Sequence, residues 1–298
     1  WRPQIACVLQ NASKAIVDIL EQFKTNTISF LTALEHFDEK YILAIDYKNK
    51  SEREATPKAV LLIDVESNDQ DNLTASCSQA IDLVKKYNTE PFLAGDSHAQ
   101  TIFWKDRKNL GAIAKHTNAF KLNEDVVIPI ESLPEFADYI EQLNIEKELS
   151  NNMNVIDHLL SFLQDIITED EIYDDDSFIK IKAESFVSRI EEIKKHYNKL
   201  LANIEKPLYT LDLQIETSNQ EMSVFESIRE KELSISIDKD VLVHFASTFH
   251  GYNELLEQYN KLIEHTMGRK LIIATHMHAG DGNIHVNIPV HSNDYTMM

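Results

Sequence analysis

Glycine is scarce in this chain, 6 in 298 residues, and proline nearly as scarce at 7. Cysteine is limited to Cys7 and Cys77, and 29 Lys and Arg face 49 Asp and Glu. Each shortage excludes something. Two cysteines cannot build a disulfide framework, and they read as small buried apolar residues in a reducing compartment. A formal charge of −20 argues against duplex nucleic acid, which wants a basic face, and against an anionic membrane surface. No apolar run approaches the roughly 20 residues that span a bilayer, so no transmembrane segment is expected. No signal peptide is evident, and the sequons at Asn11 and Asn72 read as chance matches. The chain opens on Trp1 and stops after Met298, from which an excised fragment is expected.

What is present is globular. The apolar fraction is 43% and charge is well mixed, enough for one large domain or two ordinary ones with a sizeable core. Ile5 to Leu9 is a short apolar run, and Ala12 to Phe23 has helical spacing. Ile28 to Leu34 and Tyr41 to Tyr47 look like strands, and "AVLLIDV" (59 to 65) suits a strand buried on both faces. Asn72 to Tyr87 is helical, and Pro91 to Ala94 is a brief strand ending at Gly95. That order approximates the β-α-β-β-α-β plan of a ferredoxin-like sheet. A helix is expected from about Ser97 to Lys115, then a strand at Val126 to Ile128 that Pro129 stops. Another helix starts near Ser132 with Pro134 in its first turn.

Residues 146–234 differ. They hold no glycine, one proline, and twenty acids against ten Lys and Arg, half of the net charge. Phe178, Ile181, Phe186, Ile190, Ile193, Tyr197 and Leu200 recur at the spacing of a helix packed on another helix. "TEDEIYDDD" (168 to 176) reads as a solvated loop, a cation site being the lesser alternative. Asp240 to Met267 is read as one long amphipathic helix capped by Gly268. Lys270 to Thr275 and Ile284 to Val290 are strands.

Between those strands lies "THMHAGDGNIHVNIPV", residues 275 to 290. Strand side chains alternate faces, so His276 and His278 share one face and His285 and Asn287 share one. Gly280 and Gly282 would supply positive φ or close backbone approach in the turn. His278 and His285 can then converge as half of a metal site. The plainer alternative is a hairpin whose histidines only bond its own backbone. The "GDG" resembles a phosphate loop, but no phosphate motif is complete. In "WKDRKNLGAIAKHTNAFKLNEDVVIP" (104 to 129), Arg107 and Lys121 could hold the carboxylate of a small substrate. Taken alone, each reads first as a surface charge, since the segment also holds Lys105, Lys108 and Lys115.

The two segments together, "WKDR" (104 to 107) with "FKLNEDVVIP" (120 to 129) and "HAGDGNIHVN" (278 to 287), resemble the C-terminal domain of FAD-linked oxidases of the vanillyl-alcohol-oxidase superfamily. The group suggested is that of D-lactate, glycolate and D-2-hydroxyglutarate dehydrogenases, nearest to large bacterial members with an iron–sulphur region. The resemblance implies FAD, bound mainly by a flavin domain outside this sequence. It implies a divalent metal, of zinc type, on His278 and His285, and an iron–sulphur cluster in a region also outside this sequence. It further implies that Asn287 faces flavin and substrate, and that Arg107 and Lys121 bind the substrate carboxylate. The reaction implied is oxidation of a D-2-hydroxy acid by hydride transfer to flavin, with this fragment inactive alone. A cytoplasmic or inner-membrane-peripheral location is expected.

The fold expected is α+β: an antiparallel ferredoxin-like sheet with packed helices, formed by 1–145 and 235–298, and an acidic helical insertion at 146–234. The rival readings are a metal-dependent hydrolase using His276, His278 and His285, and a non-enzymatic interaction module using the helical block.

Overall fold

A computed structural model describes residues 4–9, 12–25, 28–44, 58–87, 89–94, 96, 98, 101, 119–168, 177–213, 215 and 217–291. The chain forms two compact units: Trp1–Ile140 with Ile272–Met298, and Glu141–Leu271. The first is α+β and the second is helical. Among the described residues, no helix is long and apolar enough to cross a membrane.

The first unit begins with strand β1 (Gln4–Leu9), helix α1 (Ala12–Lys24) and strand β2 (Leu31–Asp38). A short helix α2 (Glu39–Ala44), strand β3 (Ala59–Val65), helix α3 (Gln70–Lys85) and strand β4 (Glu90–Ala94) follow. Strand β5 (Ala119–Val127) and the hairpin β6 (Ala274–His278) and β7 (Asn283–His291) complete the sheet. The strand order is β4-β1-β3-β2-β6-β7-β5, and all neighbours are antiparallel. Its first four strands have the ferredoxin-like order. The other three extend that sheet on the β2 side.

The expected strand at Tyr41 to Tyr47 is a correction: residues 39–44 are helix. Asp38 ends β2 and caps the helix, its Oδ1 accepting the Tyr41 N–H at 2.7 Å. Tyr41 and Ile42 then turn into a small core with Phe37, Val60, Leu62, Ala94 and Ala274. Dropping this strand leaves the split βαβ plan intact. Strand β2 starts three residues later than Ile28, because Phe30 adopts a left-handed backbone (φ 67) just before it.

The larger core of this unit lies on the opposite sheet face. Ile16, Ile19 and Leu20 of α1 and Leu73, Ala80, Leu83 and Val84 of α3 pack on Leu61, Ile63 and Met277. Strand β3 is buried at every position, Asp64 included, as its nearly all-apolar sequence predicts. Helix α3 begins at Gln70 because the Asp69 carboxylate accepts the Asp71 and Asn72 N–H groups at 2.9 and 3.0 Å. The helix expected at Ser97 to Lys115 and the acidic run 169–176 lie outside the described residues, apart from 98 and 101.

The helical unit holds most of helix α4 (Leu133–Thr168), with helices α5 (Ser177–Leu201), α6 (Val224–Arg229), α7 (Val243–Thr248) and α8 (Asn253–Met267). The single helix read from Asp240 to Met267 is a correction. A π-helical turn covers Asp238–Leu242, α7 ends at Thr248, and Gly251 (φ 97) reverses the backbone before α8. Gly268 caps α8, as read from the sequence, in a right-handed conformation (φ −62). Leu255 and Tyr259 of α8 join the helical core, and so the helical unit extends to Leu271, well past residue 234. In that core the Phe245 ring stacks on Tyr259 at 4.1 Å and meets the Phe186 edge at 5.3 Å. On α5, Phe178 and Ile181 are exposed, so the buried stripe starts instead from Ile179 and Ala183.

Candidate functional site

The histidine hairpin closes later than the sequence suggests. Lys270 to Ile273 is irregular and β6 starts at Ala274. The turn is held by the Asp281 N–H donating to the His278 carbonyl at 3.1 Å, and the Ile128 N–H donates to the Gly282 carbonyl at 3.2 Å. Gly282 has φ +66, and a Cβ there would stand 2.6 Å from the Ile128 carbonyl oxygen. Gly282 is thus required by both conformation and space. Gly280 is required by neither: its φ is not positive, and nothing among the described residues lies within 4 Å of its Cβ position. That corrects the expectation of two essential turn glycines.

Register sets the site. His276 lies opposite His285, His278 opposite Asn283, and Ala274 opposite Asn287. Antiparallel partners share a face, so all three histidines and Asn287 stand on one face, the one that α2 covers further along. His276 stacks on His285 with centroids 4.5 Å apart and planes 21° apart, and lies 4.7 Å from the Tyr41 ring. The His278 ring meets His285 edge-on, at 5.2 Å and 86°. The expected approach of His278 to His285 is therefore a diagonal contact across the hairpin.

Two carboxylates reach these rings from the flanking strands. Glu35 of β2, buried at 5% exposure, places Oε1 3.1 Å from His278 Nδ1. Asp125 of β5 places Oδ1 2.5 Å from His285 Nδ1. Neither acid stood out in the sequence. Asp125 lies within the "FKLNEDVVIP" motif, and Glu35 was an ordinary strand acid beside His36. Only pairing of β2 with β6 and of β5 with β7 brings them to the histidines.

Asn287 is fully buried. Its Nδ2 lies 3.3 Å from the Ala274 carbonyl, 3.1 Å from the His285 carbonyl and 3.3 Å from His276 Nδ1. Its Oδ1 is buried with no hydrogen-bond partner among the described residues, and the same holds for Asn283 Oδ1. Buried amide oxygens are normally satisfied, so among the described residues the row Asn283–His285–Asn287 leaves two acceptors open. Lys121 falls in β5 opposite Pro289, one pleat from the Asn123–Asn287 pair. Arg107 lies outside the described residues. Among the described residues, no group of three or more His, Cys, Asp or Glu is arranged to hold a metal ion.

On the same part of the sheet, Asp38 ties β6 to β2. Its Oδ2 accepts the Thr275 N–H at 2.6 Å and the Thr275 hydroxyl at 2.7 Å. Burial pushes its carboxyl up to about 6, against the pull of those hydrogen bonds.

The sequence pattern of the family described as FAD linked oxidases, C-terminal domain, matches residues 2–162 and 185–298. The chain belongs to that family. As an FAD-linked oxidase C-terminal domain, it is part of an FAD-dependent oxidoreductase, with a substrate and a flavin-binding domain as partners. The family match runs through most of the acidic helical block and leaves only 163–184 unmatched inside it. A search of the curated proteins found no match.

Proposed function

We propose that this domain forms the substrate side of an FAD-linked dehydrogenase that oxidises a D-2-hydroxy acid. The observation that carries the reading is the His278–His285 pair, two rings in edge contact whose Nδ1 atoms are each engaged by a carboxylate. Carboxylate-backed imidazoles are the usual form of histidine metal ligands. This donor set fits a borderline divalent ion of zinc type, as two of its ligands. When bound, FAD supplies a hydride acceptor, and a divalent ion supplies polarisation of the substrate hydroxyl oxygen.

The roles of the chain's own residues follow. His278 and His285 hold the ion. Arg107 and Lys121 bind the substrate carboxylate, a guanidinium fork and an ammonium being suited to it. Fixing the carboxylate at one end and the hydroxyl at the other would orient the α-hydrogen for transfer. Asn287 faces flavin and substrate, and its Oδ1 has no hydrogen-bond partner among the described residues. An iron–sulphur cluster would need thiolates from elsewhere, since two cysteines are fewer than the four such a cluster ordinarily takes.

The hydrolase alternative would place His276, His278 and His285 on one ion. The stacking of His276 flat on His285 speaks against it, because nitrogens of parallel rings do not converge on a common centre. The deciding experiment is anaerobic addition of D- and L-2-hydroxy acids to the flavin-loaded enzyme, followed by absorbance. Bleaching of the flavin by a D-2-hydroxy acid is expected. A flavin that no 2-hydroxy acid bleaches would refute the reading.

A further inference from the structure

We infer that the three hairpin histidines are fixed in two opposite tautomers, and that Glu35, Asp125 and Asn287 are the positioning residues that fix them. His278 and His285 carry their proton on Nδ1 and keep Nε2 as a lone-pair donor. His276 carries its proton on Nε2 and serves Asn287 in place of an ion.

Which atoms can donate decides where each proton sits. A carboxylate oxygen has no proton to give. Glu35 Oε1 at 3.1 Å therefore requires a proton on His278 Nδ1, and Asp125 Oδ1 at 2.5 Å requires one on His285 Nδ1. In a neutral ring that leaves Nε2 unprotonated. His276 is the reverse case. Asn287 Nδ2 faces the carbonyls of Ala274 and His285, which only accept, so the amide nitrogen is oriented toward them. His276 Nδ1 lies 3.3 Å from that same nitrogen. A proton on Nδ1 would set N–H against N–H, so Nδ1 keeps its lone pair, sharing the two amide hydrogens with the carbonyls, and the ring proton sits on Nε2.

The consequence is a division of labour within one patch. Two rings present coordinating nitrogens. The third, packed between Tyr41 and His285, holds the Asn287 amide with its oxygen directed away from the hairpin carbonyls. The sequence alternates these histidines on one face without distinguishing them. The hydrogen-bond partners do. The purpose of the two Nδ1–H rings rests on the metal reading above, whereas the tautomers themselves do not.

The test is a long-range ¹H–¹⁵N correlation spectrum of the 298-residue chain at about pH 8, above the ordinary histidine range. Signals are assigned by single substitution of each histidine. His278 and His285 should show the Nδ1–H pattern and His276 the Nε2–H pattern. A histidine side chain in water prefers Nε2–H, so two Nδ1–H rings are the informative result. Asp125→Ala, at an exposed carboxylate, should return His285 alone to the Nε2–H form. Glu35→Ala should do the same for His278, and Glu35→Gln, which keeps an acceptor, should restore it. Zn²⁺ should then shift Nε2 of His278 and His285 and leave His276 unchanged, with affinity about 10–100-fold weaker in Glu35→Ala. An Nε2–H pattern on His278 or His285 in the unaltered chain, or Nδ1–H on His276, overturns the inference. Zn²⁺ that shifts no ring refutes the metal reading and leaves the tautomer assignment standing.

Discussion

Gly282 and the Ile128 carbonyl fit together without room for a side chain: a Cβ at Gly282 would stand 2.6 Å from that oxygen. The contact joins the hairpin turn to the chain leaving β5, and the Ile128 N–H closes it by bonding the Gly282 carbonyl. Gly282→Ala must therefore both hold φ +66 and displace backbone. We expect a loss of about 2–4 kcal/mol in unfolding free energy. Gly280→Ala, with open space around its Cβ position, should stay within about 0.5 kcal/mol. Urea unfolding of both variants checks this. Equal losses would mean that the turn does not discriminate between its glycines.

His36 predicts an acid sensitivity. It is buried on β2 opposite Leu61 and Met277, and burial lowers its pKa from 6.5 to about 4. Between those values the unfolded chain binds a proton that the folded chain refuses. Stability from this group is therefore present at neutral pH and is lost as pH falls through that window. The full loss is about 3 kcal/mol. Asp38, raised to about 6, acts with the opposite sign over an overlapping range, so the total pH dependence blurs the effect. Comparison with His36→Leu isolates it. The variant should gain on the unaltered chain by up to about 3 kcal/mol between about pH 7 and about pH 4. A stability gap that is constant with pH would show that His36 is not buried neutral.

In the helical unit, Phe245→Ala should cost about 3–5 kcal/mol, because its ring is fully buried against Tyr259, Phe186 and Phe249. Phe178→Ser and Ile181→Ser should each stay within about 0.5 kcal/mol, being exposed. A large loss from either serine variant would return Phe178 and Ile181 to the buried stripe that sequence spacing suggested.

For the flavin-loaded enzyme, Arg107→Ala should raise KM for a D-2-hydroxy acid and lower kcat/KM. Removing a charge-assisted contact to the carboxylate costs about 1.5–3 kcal/mol. Steady-state kinetics decides it, and parameters within about twofold of the unaltered enzyme would remove Arg107 from the site.

Much of this domain could be read from sequence because its signals are local. The nearly all-apolar run 59–65 predicts a strand buried on both faces, and β3 is one. Alternation puts His276 and His278 on one face, and His285 and Asn287 on one, whatever their partners. Local signals also misled where a distant core decided. Tyr41 and Ile42 have strand composition, but Asp38 caps a helix whose Tyr41 ring packs against His276, over two hundred positions later in the chain. A histidine pair can be seen in sixteen consecutive residues, whereas the acids that orient it cannot. Glu35 is 243 positions from His278, and Asp125 is 160 from His285. Strand periodicity fixes which face a side chain takes, and only the pairing of strands fixes which side chain stands beside it. The sequence thus determined most of the strands, the histidine face and the family. Tertiary pairing alone decided which carboxylate, amide or ring each histidine nitrogen meets.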